Sequence, residues 1–263
     1  MKHPYDFSGK TILITGAASG LGSAAAWQFA EGGGRVVGVD RHEQRLREAI
    51  ATWPSAGGPH EAITADLQPA DAPRRVMAEA GRKVGVLDVL VNSAGVCHFN
   101  HPAKISAAEW DEVMEIDLRA LYFMGMLFAE QVDPARGGRL INLGSNAGRK
   151  GRAMSAHYAA AKAGVASVSE SLALAYGAKN ITVNTVCPAV VVTPLWETSF
   201  SELTTLTGKS ATELAQQWKK LTPLGRLGTP EDVAHLITFL ASEQGSFITG
   251  QTINVCGGFM LTC

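Results

Sequence analysis

Strand-like and helix-like segments alternate along this chain, and this alternation constrains its fold more than any other feature. Short apolar runs rich in β-branched residues predict strands at 11–15, 35–40, 61–65, 87–92, 139–144, 181–186 and 252–256. Helical periodicity predicts helices near 20–31, 43–51, 70–82, 107–131, 156–177 and 230–241. Strands that alternate with helices form a parallel sheet covered on both faces. The sequence therefore predicts an α/β fold, a single Rossmann-type, doubly wound sheet of about seven strands.

We predict one domain, residues 1–263, because no linker long enough to divide the chain interrupts the pattern. The 263 residues are 46% hydrophobic, which suits one α/β domain with a sizeable core. The segment 188–228 is the hardest to assign, since it combines several prolines and two tryptophans with an amphipathic helical pattern at 210–221. A long segment after the carboxyl end of a strand is a typical place for a substrate-binding lid, and we assign 188–228 to one.

A glycine-rich turn joins the first predicted strand to the first predicted helix. Gly16, Gly20 and Gly22 let the backbone approach a phosphate closely, and the N-terminus of the following helix offers free N–H groups and a partial positive charge. The spacing Gly-x3-Gly-x-Gly differs from the commoner Gly-x-Gly-x2-Gly. The turn is interpreted equally well as a pyrophosphate site or as a purely structural connection between strand and helix.

The second predicted strand ends in Asp40. An acid at this place can bind a ribose 2′-hydroxyl and repel a 2′-phosphate, although it is also a common helix cap. Arg41 follows and weakens that discrimination, whereas Ser19 puts no basic side chain into the glycine turn. Together these residues favour NAD over NADP as the cofactor.

Tyr158 and Lys162 stand four residues apart within a predicted helix, and Ser145 precedes Tyr158 by thirteen residues. Positions i and i+4 share one helix face, so the phenol and the ammonium can share a pocket. A cation beside a phenol lowers the pKa of the phenol from about 10, which would make Tyr158 a proton donor or acceptor near neutral pH. The alternative is a surface tyrosine lying over an aliphatic lysine stem.

Further motifs occur along the chain in a fixed order. They are Thr15-Gly16-x3-Gly20-x-Gly22, Asn92-Ser93-Ala94-Gly95, Ser145, Tyr158-x3-Lys162, Val183-Asn184-x3-Pro188 and Gly250-Gln251-Thr252-Ile253-Asn254-Val255-Cys256-Gly257-Gly258. In the order and spacing of these motifs, the chain resembles the single-domain short-chain dehydrogenase/reductase family over nearly its whole length. The resemblance implies an oxidoreductase that transfers a hydride between NAD(H) and a secondary alcohol or ketone.

The resemblance implies four catalytic candidates. Tyr158 would be the general acid in reduction and the general base in oxidation, Lys162 would depress its pKa and bind the nicotinamide ribose, and Ser145 would hydrogen-bond the substrate oxygen. Asp117 stands where the family usually has asparagine, whose backbone carbonyl helps to hold a proton-relay water. The carboxylate either raises the pKa of Tyr158 by drawing on Lys162 or leaves it unchanged.

The resemblance also implies a set of cofactor-binding residues, most of which follow the carboxyl ends of strands. They are Gly16, Ser19, Gly20, Leu21, Gly22, Asp40, Arg41, Asp66, Leu67, Asn92, Ala94, Gly95, Tyr158, Lys162, Pro188, Val191 and Thr193. Ala189 stands where the family usually has glycine, so a glycine-only backbone angle is either absent or strained there. Cys256 stands where the family commonly has aspartate, which we interpret as a change of packing or assembly.

The sequence around the serine and the lid resembles family members that act on polyols, diols and hydroxyketones. The substrate candidates are Asn146, His98, Arg149 and Trp196. They would offer hydrogen bonds and an aromatic wall to a small polyol, diol or sugar-like alcohol. The simpler interpretation of His98 is a solvated loop residue. His157 points about 100° around the helix from Tyr158, which favours a position on the surface.

Two alternatives stay open. A 3-oxoacyl-thioester reductase, acting on carrier-protein or CoA substrates, would be favoured by an arginine in the glycine turn and a basic docking patch; Ser19 and the balanced charge speak against it. A catalytically weak dinucleotide-binding regulatory protein belongs to another class. Intact Ser145, Tyr158 and Lys162 argue against that alternative, whereas Asp117 keeps it open.

Composition limits which binding partners and which cellular compartment we expect. A net charge of −1, with 18% charged residues and no basic run, argues against nucleic acid as a partner. The cysteines at 97, 187, 256 and 263 have no metal-like spacing, which predicts free thiols, no metal and a reducing compartment. The first seven residues hold no apolar signal core, and the apolar stretch 120–129 is shorter than the roughly 20 residues that span a bilayer. We therefore expect a cytoplasmic protein without membrane association, and the resemblance implies a dimer or tetramer formed through helices 107–131 and 156–177.

Overall fold

The computed structural model describes residues 4–261, apart from the side chains of residues 197 and 198. Seven strands in this range form one parallel sheet in the order β3-β2-β1-β4-β5-β6-β7. The strands are β1 Thr11–Thr15, β2 Arg35–Asp40, β3 Glu61–Thr64, β4 Val89–Asn92, β5 Gly138–Leu143, β6 Ile181–Pro188 and β7 Thr252–Val255. The predicted fold is confirmed. The strand order reverses between β1 and β4, and open α/β sheets bind ligands in the crevice at such a switch point.

Helices pack on both faces of the sheet. They are α1 Gly20–Glu31, α2 Glu43–Thr52, α3 Ala72–Val84, α4 Ala107–Met114, α5 Leu121–Gln131, α6 Ala156–Tyr176, α7 Pro194–Thr207, α8 Ala211–Leu221 and α9 Pro230–Ala241. The helix predicted at 107–131 is interrupted by a π-helical turn, Glu115–Ala120, between α4 and α5. Such turns often occur at functional sites. Within residues 4–261, every helix is too short or too polar to cross a bilayer.

Strand β1 illustrates why the sheet is buried on both faces. Successive side chains of a strand point to opposite faces. Ile12 and Ile14 pack in one core with Phe29 of α1 and Ile237 of α9, whereas Leu13 packs in a second core with residues of α3 and α5. These side chains are fully buried, and each contributes roughly 1.5–3 kcal/mol by leaving water. Because both faces are covered, β1 is a continuous apolar run instead of an alternating one.

The segment 188–228 folds as two helices, of which the sequence pattern predicted only α8. Thr193 caps α7, and Pro194 occupies its first turn. Phe200 and Leu203 of α7 pack against Leu214 of α8 in a small separate core. Because α7 buries only this narrow face, its apolar periodicity is weak. The Thr-Pro pair at its start is nevertheless a helix-start signal, and the same pair begins α9.

Candidate active site

The turns after β1 and β4 touch at the switch point. The Thr15 hydroxyl oxygen accepts hydrogen bonds from the backbone N–H groups of Ser93 and Ala94, each at 3.1 Å. Gly16 has a φ of 68°, and a Cβ there would lie 2.9 Å from backbone atoms of Ala94. Glycine is therefore required at position 16 on two counts, its left-handed backbone and this close approach.

The start of α1 also lacks bulky side chains. A Cβ on Gly22 would lie 2.2 Å from the carbonyl oxygen of Gly16, so the first turn of α1 packs directly against the glycine turn. A Cβ on Gly20 would lie 3.3 Å from Cγ2 of Thr193, which caps α7. No bulky side chain fits over the helix N-terminus, so its N–H groups and the positive end of its dipole suit a phosphate group. These residues therefore fit the pyrophosphate of a dinucleotide.

A cavity of about 310 Å³ lies beside these turns. It is lined by eleven of the predicted cofactor-binding residues, which are Gly16, Ser19, Gly20, Leu21, Asp40, Arg41, Asp66, Leu67, Ala94, Gly95 and Thr193. It is also lined by residues outside the predicted cofactor-binding set, which are Val39, His42, Arg45, Ala65, Ser93, Val96, Ile116, Pro194 and Leu195. Several of these lie at or just after the carboxyl ends of predicted strands. This position could have identified them from the sequence. Arg45 and Ile116 come from helical segments, where no such signal exists.

Asp40 ends β2 at this cavity. One oxygen of its carboxylate accepts a hydrogen bond from the N–H of Ala18 in the glycine turn, at 3.2 Å, and the other accepts from the N–H of His42, at 2.9 Å. The carboxylate therefore fixes the glycine turn against the start of α2. Arg41 and Arg45 line the same cavity, so two cations share it with this negative charge.

The remaining predicted cofactor-binding residues lie off this cavity. They are Gly22, Asn92, Tyr158, Lys162, Pro188 and Val191. The buried amide of Asn92 donates to Oδ1 of Asn142 at 2.9 Å and to the carbonyl of Leu121 at 3.2 Å, which ties β4 to β5 and α5. Among the described non-glycine residues, only Asn180 has a positive φ. The glycine-only backbone angle considered for Ala189 is therefore absent.

The fold brings together the three residues that first suggested a catalytic site. Tyr158 and Lys162 lie one turn apart on α6, with Nζ of the lysine 5.6 Å from the centroid of the phenol ring. Ser145 follows β5 and forms a hydrogen bond with the Tyr158 hydroxyl. The serine hydroxyl also accepts from the N–H of Ala147 at 3.1 Å, which fixes its rotamer. Lys162 and Ser145 are buried, whereas Tyr158 is half-buried.

Lys162 is held by two oxygen atoms. Its Nζ donates to the carbonyl of Leu143 at 2.9 Å and lies 3.2 Å from Oδ2 of Asp117. The other oxygen of Asp117 accepts from the N–H of Val96 at 2.7 Å. Gly95 makes room for this carboxylate, since a Cβ there would lie 3.2 Å from both of its oxygens. A buried ion pair, whose carboxylate belongs to the π-helical turn, therefore lies beside the phenol.

This environment shifts the pKa values of Tyr158 and Asp117. Burial raises the pKa of the Tyr158 phenol well above its usual range; Cys97 and Asp117 raise it further, and the hydrogen bond with Ser145 opposes them. The pKa of Tyr158 is therefore raised where the sequence predicted a lowered one, and burial of the phenol is the main reason. The Lys162 ammonium is paired with Asp117. Burial also raises the pKa of the Asp117 carboxyl, and Lys162 opposes that shift.

Two free cysteines lie near the phenol, and no sequence motif identified them as site residues. Cys97 and Cys187 both contribute to raising the pKa of Tyr158. Cys97 follows β4 and Cys187 lies near the end of β6, positions that a parallel sheet brings to one edge. Burial raises the pKa of both thiols, that of Cys97 to about 12, so both remain protonated at neutral pH.

His98 is held between two glutamates, which corrects the expectation of a solvated loop residue. Its Nε2 lies 3.2 Å from Glu112 of α4, and its Nδ1 lies 3.3 Å from Glu202 of α7. The second oxygen of Glu202 accepts from the N–H of Phe99 at 2.8 Å. Ser199, also on α7, donates to a backbone carbonyl of the same loop at 2.8 Å. Helix α7 is thus held against the loop after β4.

The other substrate candidates lie in different surroundings. The half-buried Trp196 packs against Phe200 and Trp218, with ring centroids 3.9 and 5.9 Å away. Asn146 is buried next to the serine hydroxyl, at 3.5 Å from it. Arg149 is exposed at the end of the short 3-10 turn that follows. Asn146 is therefore the candidate in direct contact with the proton-transfer groups.

His157 is fully buried, so the expectation of a surface position is wrong. Its Nε2 lies 3.1 Å from Oε1 of Glu109, because the first turn of α6 packs against α4. Burial lowers the pKa of His157, and Glu109 opposes the shift. Within the part of the chain that the structure describes, no three His, Cys, Asp or Glu side chains are arranged to hold a metal ion.

Comparisons with known proteins identify the family of the chain. A family model described as enoyl-(acyl carrier protein) reductase matches residues 16–260. A 3-oxoacyl-[acyl-carrier-protein] reductase of Thermotoga maritima is 31% identical, with 96% of this chain and 98% of the relative covered. A cis-4-hydroxycyclohexanecarboxylate dehydrogenase of Sinomonas cyclohexanicum is 36% identical, with 96% and 97% covered. The crystal structure of a short-chain type dehydrogenase/reductase from Mycobacterium marinum superimposes with a TM-score of 0.88 at 27% identity, covering 98% of both chains. The chain therefore belongs to the short-chain dehydrogenase/reductase family of oxidoreductases.

Proposed function

We propose that this chain is an NAD-dependent enzyme that interconverts a secondary alcohol and a ketone, with Tyr158 as proton donor and acceptor. One observation carries the proposal: the Tyr158 hydroxyl is hydrogen-bonded to Ser145 and shares a helix face with Lys162. Asp117, which pairs with Lys162, accepts a hydrogen bond from the N–H of Val96, and Val96 lines the cavity beside the glycine turn. Proton-transfer groups therefore lie next to a cavity that fits a dinucleotide.

The proposed chemistry assigns one step to each side chain. In reduction, Tyr158 donates its hydroxyl proton to the carbonyl oxygen, while Ser145 donates a hydrogen bond that stabilises the negative charge developing there. Bound NAD(H) supplies the hydride to the carbonyl carbon or accepts it from the alcohol. In oxidation, the phenolate of Tyr158 accepts the proton of the alcohol. Lys162 binds the nicotinamide ribose and favours the phenolate as far as its pairing with Asp117 allows.

Asp40 supports NAD over NADP. Its carboxylate would accept hydrogen bonds from the ribose hydroxyls and would repel a 2′-phosphate. On this placement Asp66 and Leu67 flank the adenine. Arg41 and Arg45 line the same cavity and reduce the discrimination, so we expect a preference for NADH instead of an absolute requirement.

As the substrate we propose a small polyol, diol or sugar-like alcohol, since the polar Asn146 lies directly beside Ser145. A 3-oxoacyl thioester is the second candidate, supported by the family model's description and by the name of the Thermotoga relative. Ser19 and the net charge of −1 speak against it. The name of the Sinomonas relative and the aromatic cluster around Trp196 favour ring alcohols as a third candidate.

A two-stage assay tests the proposal. NADH and NADPH are titrated against the protein by fluorescence, and polyols, diols, ring alcohols and acyl thioesters are then screened by nicotinamide absorbance. NAD-linked turnover of an alcohol supports the proposal. Turnover of thioesters with NADPH would replace it by the reductase alternative, and cofactor binding without turnover of any class would favour the regulatory alternative.

We further infer that the chain self-associates through α4, α5 and α6, in a dimer or tetramer. These helices expose large apolar side chains, which are Trp110, Tyr122, Phe123 and Leu174. Apolar patches on helix faces are typical of interfaces between protein chains. The free thiols at positions 97, 187 and 256 support a reducing, cytoplasmic compartment.

A further inference from the structure

An ion pair takes up the lysine charge that the proposed mechanism needs beside Tyr158. Asp117 and Lys162 are 0% and 5% exposed, and their charged atoms lie 3.2 Å apart. The carboxylate also accepts from the N–H of Val96 at 2.7 Å, and the ammonium donates to the carbonyl of Leu143 at 2.9 Å. Backbone groups therefore hold both partners in place, and the pairing is built into the fold.

We propose that Asp117 is a positioning residue that pairs with Lys162, takes up much of the lysine's positive charge and so moves the working pH range of Tyr158 upward. The inference rests on the proposed function. A carboxylate 3.2 Å from the ammonium is a far stronger partner than a neutral phenol whose ring centroid lies 5.6 Å away. The negative charge of Asp117 also acts directly on the phenol, since it disfavours a second negative charge nearby.

The other groups around the phenol come from every element packed against it. They are Cys97 after β4, Ser145 after β5, Cys187 on β6 and Lys162 on α6. His98, His157, Glu202 and Arg149 interact from farther away with the two thiols or with Asp117. The two thiols stay neutral at working pH because burial raises their pKa. Among the described residues, Asp117 is the carboxylate that lies within 4.0 Å of the lysine ammonium. A test of the inference should therefore remove the charge of Asp117.

The substitution Asp117→Asn removes the negative charge and keeps an acceptor for the Val96 N–H. The first proton then leaves the Tyr158–Lys162 unit at lower pH, whichever of the two groups loses it. We expect the acid limb of kcat/KM for oxidation and the alkaline limb for reduction both to move down by about one pH unit or more. Oxidation below the limb becomes about tenfold faster as a result. A residue that merely stabilised the fold would lower kcat/KM equally at every pH.

The pH profiles of the wild type, Asp117→Asn and a matched control, Asp71→Asn, test the inference. The control removes a carboxylate of an exposed ion pair with Arg75, and exposed pairs contribute little. Melting temperature and NADH affinity establish that each variant is folded. Unmoved limbs in a folded Asp117→Asn variant would overturn the inference, as would an equal shift in the control.

A second measurement needs no substrate. Wild-type and Asp117→Asn proteins labelled with 13C-tyrosine are titrated by NMR, and Tyr158→Phe identifies the signal. We expect the Tyr158 phenol to stay protonated beyond about pH 10 in the wild type and to titrate about one pH unit or more lower in Asp117→Asn. Ionisation of the wild-type phenol below about pH 8, or equal titration in the two proteins, would overturn the inference. The expected titration in a protein that turns over no alcohol would support the charge pairing and refute the proposed function, which separates the two failures.

Discussion

At the scale of single residues, Asp40 combines a structural role with the proposed binding role. Its two oxygens already accept hydrogen bonds from the N–H groups of Ala18 and His42. A carboxylate offers about four acceptor sites, so about two remain for ribose hydroxyls. The same group thus shapes the glycine turn and presents a fixed negative charge to the cavity. Cofactor preference then depends on the balance between this charge and the cations of Arg41 and Arg45.

The substitution Asp40→Asn removes the charge and keeps an acceptor. We expect the affinity for NADPH relative to NADH to rise about tenfold, about 1.4 kcal/mol, because the 2′-phosphate then meets only Arg41 and Arg45. Fluorescence titration of both cofactors measures the ratio. Asp66→Asn is the control, since it removes a carboxylate from the same cavity at the proposed adenine end. An unchanged ratio for Asp40→Asn, or an equal change in the control, would mean that the ribose binds elsewhere.

At the scale of elements, helix α7 is joined to the loop after β4 by Glu202. Its carboxylate accepts from the N–H of Phe99 and contacts the ring of His98. Ser199 adds a hydrogen bond one turn away. Trp196 and Phe200 of the aromatic cluster lie on the same helix, so the position of the proposed aromatic wall depends on the junction.

Breaking the junction with Glu202→Ala should loosen α7 without disturbing the glycine turn. We expect KM for the substrate to rise severalfold, about 1 kcal/mol for the hydrogen bonds lost, while the Kd for NADH stays within about twofold. We also expect faster cleavage of α7 and α8 by a limiting amount of protease. Glu112→Ala removes the other partner of His98 but keeps the bond to Phe99, so its effect on KM should be smaller. Equal effects of both substitutions would show that α7 is not held by Glu202.

At the scale of the whole molecule, the sequence predicted the sheet, the glycine turn and the proton-transfer residues because each depends on local signals. Buried parallel strands are continuous apolar runs, and Tyr158 and Lys162 share a face through helix geometry alone. The features that it missed depend on contacts between distant segments. His157 is buried because α6 packs on α4, and the pKa of Tyr158 is raised because the fold buries the phenol and brings Cys97 and Asp117 near it. No local pattern encodes these contacts.

The proposed self-association also belongs to this scale. Phe123 on α5 and Trp27 on α1 are both 40% exposed, but only Phe123 lies on the face that we assign to the interface. We expect Phe123→Glu to shift the protein to a smaller species in size-exclusion chromatography with light scattering, because a carboxylate would be buried between subunits. Trp27→Glu is the control and should leave the mass unchanged. The opposite pattern would place the interface on α1.

The central claim is that Tyr158 transfers the proton, and Tyr158→Phe tests it most directly. The comparison is Tyr176→Phe, which alters the same helix at a tyrosine whose ring also lies near a lysine, 5.5 Å from Nζ of Lys179. On the first substrate that the screen finds, kcat for Tyr158→Phe should fall by about 10²–10⁴-fold, while NADH binding stays near the wild-type value. Tyr176→Phe should keep its activity. Wild-type turnover by Tyr158→Phe with tight NADH binding would contradict the account.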